Sequence, residues 1–302
     1  LLRFHRQITW LIALLIFAHP IILFLWDPRF LALLDVAQAP ARARFAVVSV
    51  VLLAVLIVTS IWRRRLHIRY AVWQVMHSVL ATLIVVTALV HVLLIGYYVD
   101  EPWEKALWVC YSLAFVSIGV CVRIVRPILR WRRRWRFVAV DNEAAGSSTI
   151  ELEPVDPRSF GPRGFEFEAG QYAWIHVGGS PFAMTYHPFS FSSSAQSPGR
   201  VRFTIKPEQG FTATVPDLSL GSVVYLDGPW GHLTMERNDA NGFVFIAAGV
   251  GVTPMLSMIS TLADRGDDRD CLLILGNRHE DRIIGADRLR ELQERMPNLE
   301  VV

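Results

Sequence analysis

The strongest constraint on this chain is a set of four long apolar runs near its N-terminus. They span residues 8–26, 45–62, 70–98 and 106–122. Each has about 17 residues or more, enough for a helix to cross a hydrocarbon core of about 30 Å. The sequence therefore predicts four membrane-spanning helices. The rest of the chain has the mixed α/β pattern of a soluble protein, with Gly, Pro and Ser between its apolar segments.

The first run has an alternative reading as a signal peptide. Arg3 and Arg6 flank it, and Ala37-Gln38-Ala39 imitates a cleavage site. Three more runs follow, however, and the polar His19 interrupts the apolar stretch. We therefore favour a membrane span.

Composition excludes several other classes. The chain is 53% hydrophobic and 19% charged, against about 45–50% and about 25% in ordinary soluble proteins, which excludes disordered and collagen-like chains. Three cysteines cannot supply a disulfide framework. A net charge of +3 gives no support to nucleic-acid binding. The first residue is Leu1, so we expect a fragment or a processed product.

Arginine placement predicts the topology. One cluster joins the second and third runs, and another follows the fourth. The clusters are Arg63, Arg64, Arg65 and Arg69, and Arg123, Arg126, Arg130, Arg132, Arg133, Arg134 and Arg136. The link between the third and fourth runs is acidic, with Asp100, Glu101 and Glu104. The positive-inside rule places both clusters, and everything after about residue 130, in the cytoplasm. As a patch facing solvent or lipid headgroups, the second cluster needs no further function.

Four histidines lie within the first and third runs. His5 and His19 are fourteen residues apart, and so are His77 and His91. On a helix each pair shares one face, about 21 Å apart along the axis. The two spans run in the same direction, so His5 is expected level with His77, and His19 level with His91.

Paired imidazoles at two depths predict two b-type haems. Neutral imidazole is a common axial haem ligand, and two of them leave no open position on the iron, which suits electron transfer. A single buried histidine is as readily explained by an interior hydrogen bond. Interior hydrogen bonds do not readily explain four histidines at matched depth and repeated spacing, because polar groups inside membrane spans are costly. His67, in the arginine-rich link, is read as a surface residue.

The soluble half begins with segments of strand character. They are 137–140, 149–152, Tyr172–Val177, 200–206 and 222–226, which favour an antiparallel barrel or sandwich. Between them lie polar segments read as turns, among them His187-Pro188-Phe189-Ser190 and Asp227-Gly228-Pro229-Trp230-Gly231. Lys206 and Gly210-Phe211-Thr212 follow the Ser-rich stretch, and Thr212 is expected to cap a short helix whose amides bind phosphate. Residue chemistry alone leaves both flavin binding and plain loops open.

The last part carries a sharper signal. A buried strand at 243–247 leads into Gly249-Val250-Gly251-Val252-Thr253-Pro254, and a helix is expected to follow through Leu262. Glycines and free helix amides form a pyrophosphate-binding device, although the full G-x-G-x-x-G pattern is absent. A second strand at 271–275 precedes Arg278, which is either a ligand of a 2′-phosphate or a solvated loop residue.

The order of these parts resembles the ferric reductase and NADPH oxidase superfamily. The resemblance implies that His5 and His77 ligate an inner haem, and His19 and His91 an outer one. It implies that His187, Pro188, Phe189 and Ser190 contact FAD, with Lys206 and Thr212 near its pyrophosphate. It also assigns the nicotinamide nucleotide, NADPH or NADH, to Gly249, Val250, Gly251, Thr253 and Pro254, and leaves Arg278 as a candidate contact.

The expected fold class is an all-α transmembrane helix bundle, then an antiparallel β-barrel FAD domain, then a truncated Rossmann-like α/β NAD(P) domain. The expected boundaries are 1–130, 131–238 and 239–302. The family's membrane domain has six spans, and its later nucleotide-domain motifs are not found, so we expect the intact protein to extend in both directions.

The function implied is an integral cell-membrane oxidoreductase. It would move electrons from cytosolic NAD(P)H through FAD and two haems to dioxygen or a ferric chelate outside, with no catalytic acid–base residue. Arg29, Arg42 and Arg44, in the outer loop, are candidates to attract that acceptor or are plain interfacial arginines. The alternatives are a haem-free membrane flavin reductase serving a quinone or protein, and a non-enzymatic cytochrome b subunit.

Overall fold

The computed structural model describes residues 2–96, 99–183, 185–197, 199–208, 210–236 and 240–302. The chain divides into two compact units, Leu1–Val120 and Cys121–Val302. The expected boundary between the second and third domains, at residues 238 and 239, lies outside the described residues.

The first unit contains four long helices. They are α1 (Leu2–Trp26), α2 (Ala41–Ile61), α3 (Tyr70–Ile95) and α4 (Pro102–Val120). Each covers all or most of one predicted apolar run, and α1, α2 and α4 begin several residues earlier than predicted. The expected end of the third run, at residues 97 and 98, lies outside the described residues. Among the described residues, four helical segments are long and apolar enough to cross a membrane, so the prediction of four spans is confirmed at that level.

Helices α1, α2 and α3 pack on one another through a small apolar core. Its buried members are Leu53 and Leu56 on α2 and Ile84 on α3, with Ile16 and Phe17 of α1 against them. Ser49 on α2 also donates a 3.3 Å hydrogen bond to the carbonyl of Ile84. Most other apolar side chains of these helices are exposed, as in helices whose surface contacts lipid.

The second unit begins with a π-helical turn, Cys121–Val125, and the short helix α5 (Arg126–Arg132). Arg130 lies 3.0 Å from the carboxylate of Asp227 and 4.8 Å above the ring of Tyr186. Arg126 lies over Trp230. Part of the second arginine cluster is thus folded onto the protein, rather than facing only solvent or headgroups as the sequence suggested.

Next comes a six-stranded sheet in which every pairing is antiparallel. Its strands are β1 (Trp135–Asn142), β2 (Ser148–Pro154), β3 (Tyr172–Val177), β4 (His187–Ser190), β5 (Val201–Ile205) and β6 (Val223–Trp230). Their order is β4-β3-β6-β1-β2-β5. An aromatic core of Trp135, Phe137, Phe191 and Phe203 is completely or almost completely buried.

The antiparallel sheet is confirmed, but a closed barrel is not present among the described residues. The edge strands β4 and β5 meet only at one isolated bridge, Phe191 with Phe203. After Phe191, Ser192 and Ser193 still hydrogen-bond to Arg202 of β5. Ser193 and Ala195 also bond to a helix of the following domain.

Two motifs predicted as turns are strands. His187–Ser190 is β4, which pairs with β3 from Tyr172↔Ser190 to Ile175↔His187. Residues Asp227 to Trp230 form the end of β6, opposite a register shift in β3. The prediction was wrong because hydrogen bonding to β3 outweighs the local turn preference of Pro and Gly.

The C-terminal part is an α/β layer, as predicted. Its parallel sheet has the order β7 (Gly242–Ala248), β8 (Asp270–Gly276) and β9 (Leu299–Val301). Helices α6 (Val252–Arg265) and α7 (Ala286–Arg295) contribute to its core. Leu256, Ile259 and Leu262 of α6 pack with Phe245 and Leu273 of the sheet.

Candidate functional site

The first unit brings two of the four predicted histidines together. The ring centroids of His5 on α1 and His77 on α3 are 6.4 Å apart, with planes at 71°. Two imidazoles that bind one metal ion from opposite sides, each about 2 Å from it, have centroids about 6 Å apart. The separation of these two rings is therefore compatible with a metal ion held between them.

A cavity of about 340 Å³ lies beside this pair. Its lining includes His5, Arg6, Thr9, Ser60, Trp73 and His77. The ring of Trp73 is 5.0 Å from that of His77. The buried Trp73 Nε1 has no hydrogen-bond partner among the described residues, which leaves a donor available to a bound group.

His19 and His91 are not brought into ring contact within the described part of the chain. His19 is exposed and precedes Pro20 inside α1, and His91 is half-buried on α3. His91 Nδ1 instead lies 2.8 Å from the main-chain carbonyl of Arg42, at the start of α2. No cluster of three or more potential metal ligands occurs among the described residues, although a two-histidine site needs only a pair.

The three arginines before and at the start of α2, predicted to lie in the outer loop, are partly engaged with the protein. Arg29 forms a 2.8 Å ion pair with Asp27. The guanidinium of Arg44 donates to the carbonyls of Ala39 and Ala37. The side chain of Arg42 is exposed.

In the second unit, β4 presents His187, Phe189 and Ser190, all half-buried, and the exposed Pro188. The His187 ring stacks on Phe211, with centroids 4.6 Å apart and planes at 4°. Burial, and then the nearby charge of His176, lowers the pKa of His187. His187 is therefore neutral near pH 7 and contributes an aromatic surface rather than a charge.

Lys206 and Thr212 follow β5. Lys206 is exposed, so its ammonium group is accessible to an anion. Thr212 is the third residue of the 3₁₀ helix Gly210–Asp217, and its hydroxyl accepts a 3.0 Å hydrogen bond from the Glu208 amide. The expectation that Thr212 caps this helix was wrong, because the helix begins two residues earlier.

The predicted nucleotide turn lies at the carboxyl end of β7. Gly249–Gly251 forms one 3₁₀ turn and α6 follows directly. A Cβ added at Gly249 or Gly251 would meet no atom within 4 Å, so the backbone is open to a ligand there. Thr253 donates its hydroxyl proton to the carbonyl of Val250, which fixes the turn. These are the features that a pyrophosphate site requires.

Arg278 is exposed after β8 and makes no hydrogen bond or ion pair with the described residues. Its position at the carboxyl end of a parallel strand is compatible with either reading of its role. A cleft of about 760 Å³ lies elsewhere in the second unit. It is lined by Glu143, Arg202 and Arg288 among others, and by none of the predicted cofactor residues.

Two hydrogen bonds join the segment that follows β4 to α6. Ser257 donates to the carbonyl of Ser193 at 2.7 Å, and the Ala195 amide donates to Thr261 at 2.9 Å.

Sequence reasoning missed Ser257 and Thr261, and also Ser60 and Trp73. Hydroxyl residues at helical spacing on the buried face of an otherwise apolar helix are the signal for the first two. For Ser60 and Trp73, the signal is an expected position at the same depth in the membrane as His77.

Three protein-family models match the chain in succession. Residues 1–88 match the ferric reductase like transmembrane component. Residues 135–241 match an FAD-binding domain, and residues 245–302 an oxidoreductase NAD-binding domain. Together with the four apolar helices, they define a membrane oxidoreductase with FAD- and NAD(P)-binding domains. The order of its parts is the ferric reductase and NADPH oxidase-like architecture, as the sequence motifs suggested.

Similar curated proteins include a propane 2-monooxygenase reductase component from Rhodococcus jostii (strain RHA1). It is 29% identical over 162 residues, which cover 53% of this chain and 42% of the relative. The stachydrine N-demethylase reductase subunit of Rhizobium meliloti (strain 1021) is 28% identical, over 45% of this chain and 39% of the relative. The chain spans less than half the length of these two relatives. A solved Amycolatopsis cytochrome P450 reductase is 25% identical with a TM-score of 0.47, over 56% of this chain and 51% of that one.

Proposed function

We propose that this protein moves electrons from cytosolic NADPH or NADH, through FAD and two bis-histidine b-type haems, to an acceptor on the far side of the membrane. The observation that carries the proposal is the His5–His77 pair, 6.4 Å apart on two helices of a chain that also has FAD- and NAD-binding domains. Paired imidazoles inside a membrane helix bundle are costly unless they hold a group there.

The inner haem would be held by His5 and His77, and the outer one by His19 and His91. Trp73 Nε1, which is buried and has no partner in the described part of the chain, would donate to the inner group from the same cavity. When bound, FAD accepts a hydride and can release single electrons, and haem iron between two imidazoles exchanges single electrons. The protein contributes binding, orientation and exclusion of other ligands, so no acid–base residue is assigned.

In the second unit, His187, Pro188, Phe189 and Ser190 would contact the flavin. Lys206 would balance the negative charge of the FAD pyrophosphate, and Thr212 would lie near the same group. The position of both residues after β5 supports this assignment. The open backbone of the nucleotide turn supports binding of NAD(P)H pyrophosphate by Gly249, Val250, Gly251, Thr253 and Pro254. Arg278 is exposed at the end of the adjacent strand and is proposed to contact the ribose or its 2′-phosphate. We keep 1–130, 131–238 and 239–302 as proposed domain boundaries.

The arginine clusters between the second and third spans and after the fourth support a cytoplasmic position for the flavin and nucleotide domains. On the opposite side, the acceptor is dioxygen, reduced to superoxide, or a ferric chelate. Of the three outer-loop arginines, Arg42 is the best candidate to meet an anionic chelate, since Arg29 and Arg44 already bond to Asp27 and to carbonyls.

A second candidate is a haem-free membrane reductase that serves a protein partner. The names of the two curated relatives, a reductase component and a reductase subunit, favour it. It leaves the histidine pairs of α1 and α3 without a role, and for that reason we rank it second.

The test is a spectrum of the full chain, purified in detergent, followed by turnover in vesicles. We expect a Soret band and flavin absorbance together, both reduced by NAD(P)H. We also expect either superoxide dismutase-sensitive dye reduction or ferric-chelate reduction outside. Flavin absorbance without a Soret band would establish the second candidate. A Soret band without NAD(P)H oxidation by any acceptor would establish a cytochrome subunit.

A further inference from the structure

Helix α2 carries no histidine, yet it contacts a ring nitrogen of both histidines on α3. Near its C-terminal end, Ser60 Oγ lies 3.3 Å from His77 Nδ1. In its first turn, the carbonyl oxygen of Arg42 lies 2.8 Å from His91 Nδ1. The same ring nitrogen is engaged in both cases, at the two ends of one helix.

At His77, the direction of the hydrogen bond follows from counting protons. The Ser60 hydroxyl has one hydrogen, and it donates that hydrogen to the carbonyl of Leu56 at 2.6 Å. A carbonyl can only accept, so Ser60 Oγ faces His77 with a lone pair. His77 Nδ1 must then carry the proton, which leaves Nε2 unprotonated in the neutral ring.

At His91, the direction of the hydrogen bond follows directly from its partner, a main-chain carbonyl. The Arg42 carbonyl has no hydrogen to donate, so His91 Nδ1 is the donor across the 2.8 Å contact. In the neutral ring, Nε2 again holds the free lone pair. Each of these two histidines makes no other side-chain hydrogen bond within the described residues.

We propose that α2 fixes the tautomer of both α3 histidines, with Ser60 as the positioning residue for His77. The inference rests on the proposed function, since the free Nε2 lone pairs are what haem iron would bind. An acceptor on the far nitrogen makes an imidazole a stronger donor to its metal. Stronger donation stabilises oxidised iron, so Ser60 lowers the midpoint potential of one haem.

The experiment is a redox titration of the full-length holoprotein, following both haems by their absorbance. Ser60→Ala removes the acceptor, and we expect the potential of one haem to shift upward while the other stays unchanged. Ser60→Thr keeps a hydroxyl that can bond the carbonyl four residues back and is expected to restore the wild-type value.

Thr59→Ala is the matched control. The Thr59 hydroxyl bonds the carbonyls of Val55 and Leu56 in the same turn but is not hydrogen-bonded to a histidine. Its loss should leave both potentials unchanged. A purely structural role of this turn would instead move the potentials in Thr59→Ala and Ser60→Ala alike, and would overturn the inference.

The size-matched Ser60→Cys variant covers the case in which Ser60→Ala does not assemble. Sulfur is a weak acceptor, so the potential of the same haem should rise only part of the way. Equal potentials in wild type and Ser60→Cys, or in wild type and Ser60→Ala, with both haems bound would overturn the tautomer assignment alone. A wild-type protein without a Soret band would overturn the proposed function itself, which separates the two failures.

Discussion

The hydroxyl of Ser257, in the middle of α6, donates a 2.7 Å hydrogen bond to the main-chain carbonyl of Ser193. Ser257 is fully buried, and Ser193 lies three residues after the last residue of β4. The nucleotide turn opens α6 and β4 carries the candidate flavin contacts. One buried hydrogen bond therefore ties the two candidate sites to each other within the second unit.

Ser257→Ala should lower the free energy of unfolding by about 1–2 kcal/mol, because the Ser193 carbonyl loses a partner in a buried place. The measurement is thermal unfolding of the full chain in detergent, followed by tryptophan fluorescence. Ser222→Ala is the control, since its hydroxyl bonds only the nearby carbonyl of Ser219. Equal losses in both variants would contradict a special role for Ser257.

His77→Ala should abolish one of two haems, because the His5–His77 pair loses a ligand. We expect the Soret absorbance to fall by about half and flavin content to stay unchanged. The control is His67→Asn: His67 lies in the loop between α2 and α3 at φ 53°, a conformation that asparagine tolerates. Full haem content in His77→Ala would rule out His77 as a ligand.

Gly251→Ala should raise the KM for NADH or NADPH by at least about tenfold. Gly251 has right-handed backbone angles, φ −62° and ψ −10°, and a Cβ there meets nothing within 4 Å. Alanine therefore fits the fold, and its methyl group projects into the space that the nucleotide's phosphates would enter. Gly199→Ala, equally open, is the control. An unchanged KM measured by stopped-flow flavin reduction would place the nucleotide elsewhere.

Acidification should destabilise the second unit through His187. Burial and the nearby His176 hold the pKa of His187 below its ordinary value of 6.5, so below pH 6.5 the unfolded chain binds a proton that the folded one does not. The free energy of unfolding then falls as the pH drops from 6.5 to the folded-state pKa. Above pH 6.5, His187 leaves the free energy of unfolding unchanged. His187→Gln should flatten this dependence in thermal unfolding at several pH values, whereas the exposed His232→Gln should retain it.

Much of this fold could be predicted because its signals are local. Apolar length identified the four long helices, and the glycine turn after a buried strand identified the start of α6. The strand assignments of His187–Ser190 and of residues 227–230 could not be read locally, since they depend on β3 as a partner. His5 and His77 share a depth by helical arithmetic, and their contact required the packing of α1 and α3. Ser60 could not be singled out, because α2 contains two serines and a serine in an apolar helix has many explanations.

The contacts of α2 with the two histidines imply that α2 tolerates some changes of sequence better than changes of length. Arg42 contacts His91 through its main-chain carbonyl, so this contact does not depend on the Arg42 side chain. It does depend on the distance along the helix between Arg42 and Ser60. One inserted residue between them would turn one end of α2 by about 100° relative to the other. Helix α2, which carries no histidine, is thus a helix whose length between these two residues must be kept.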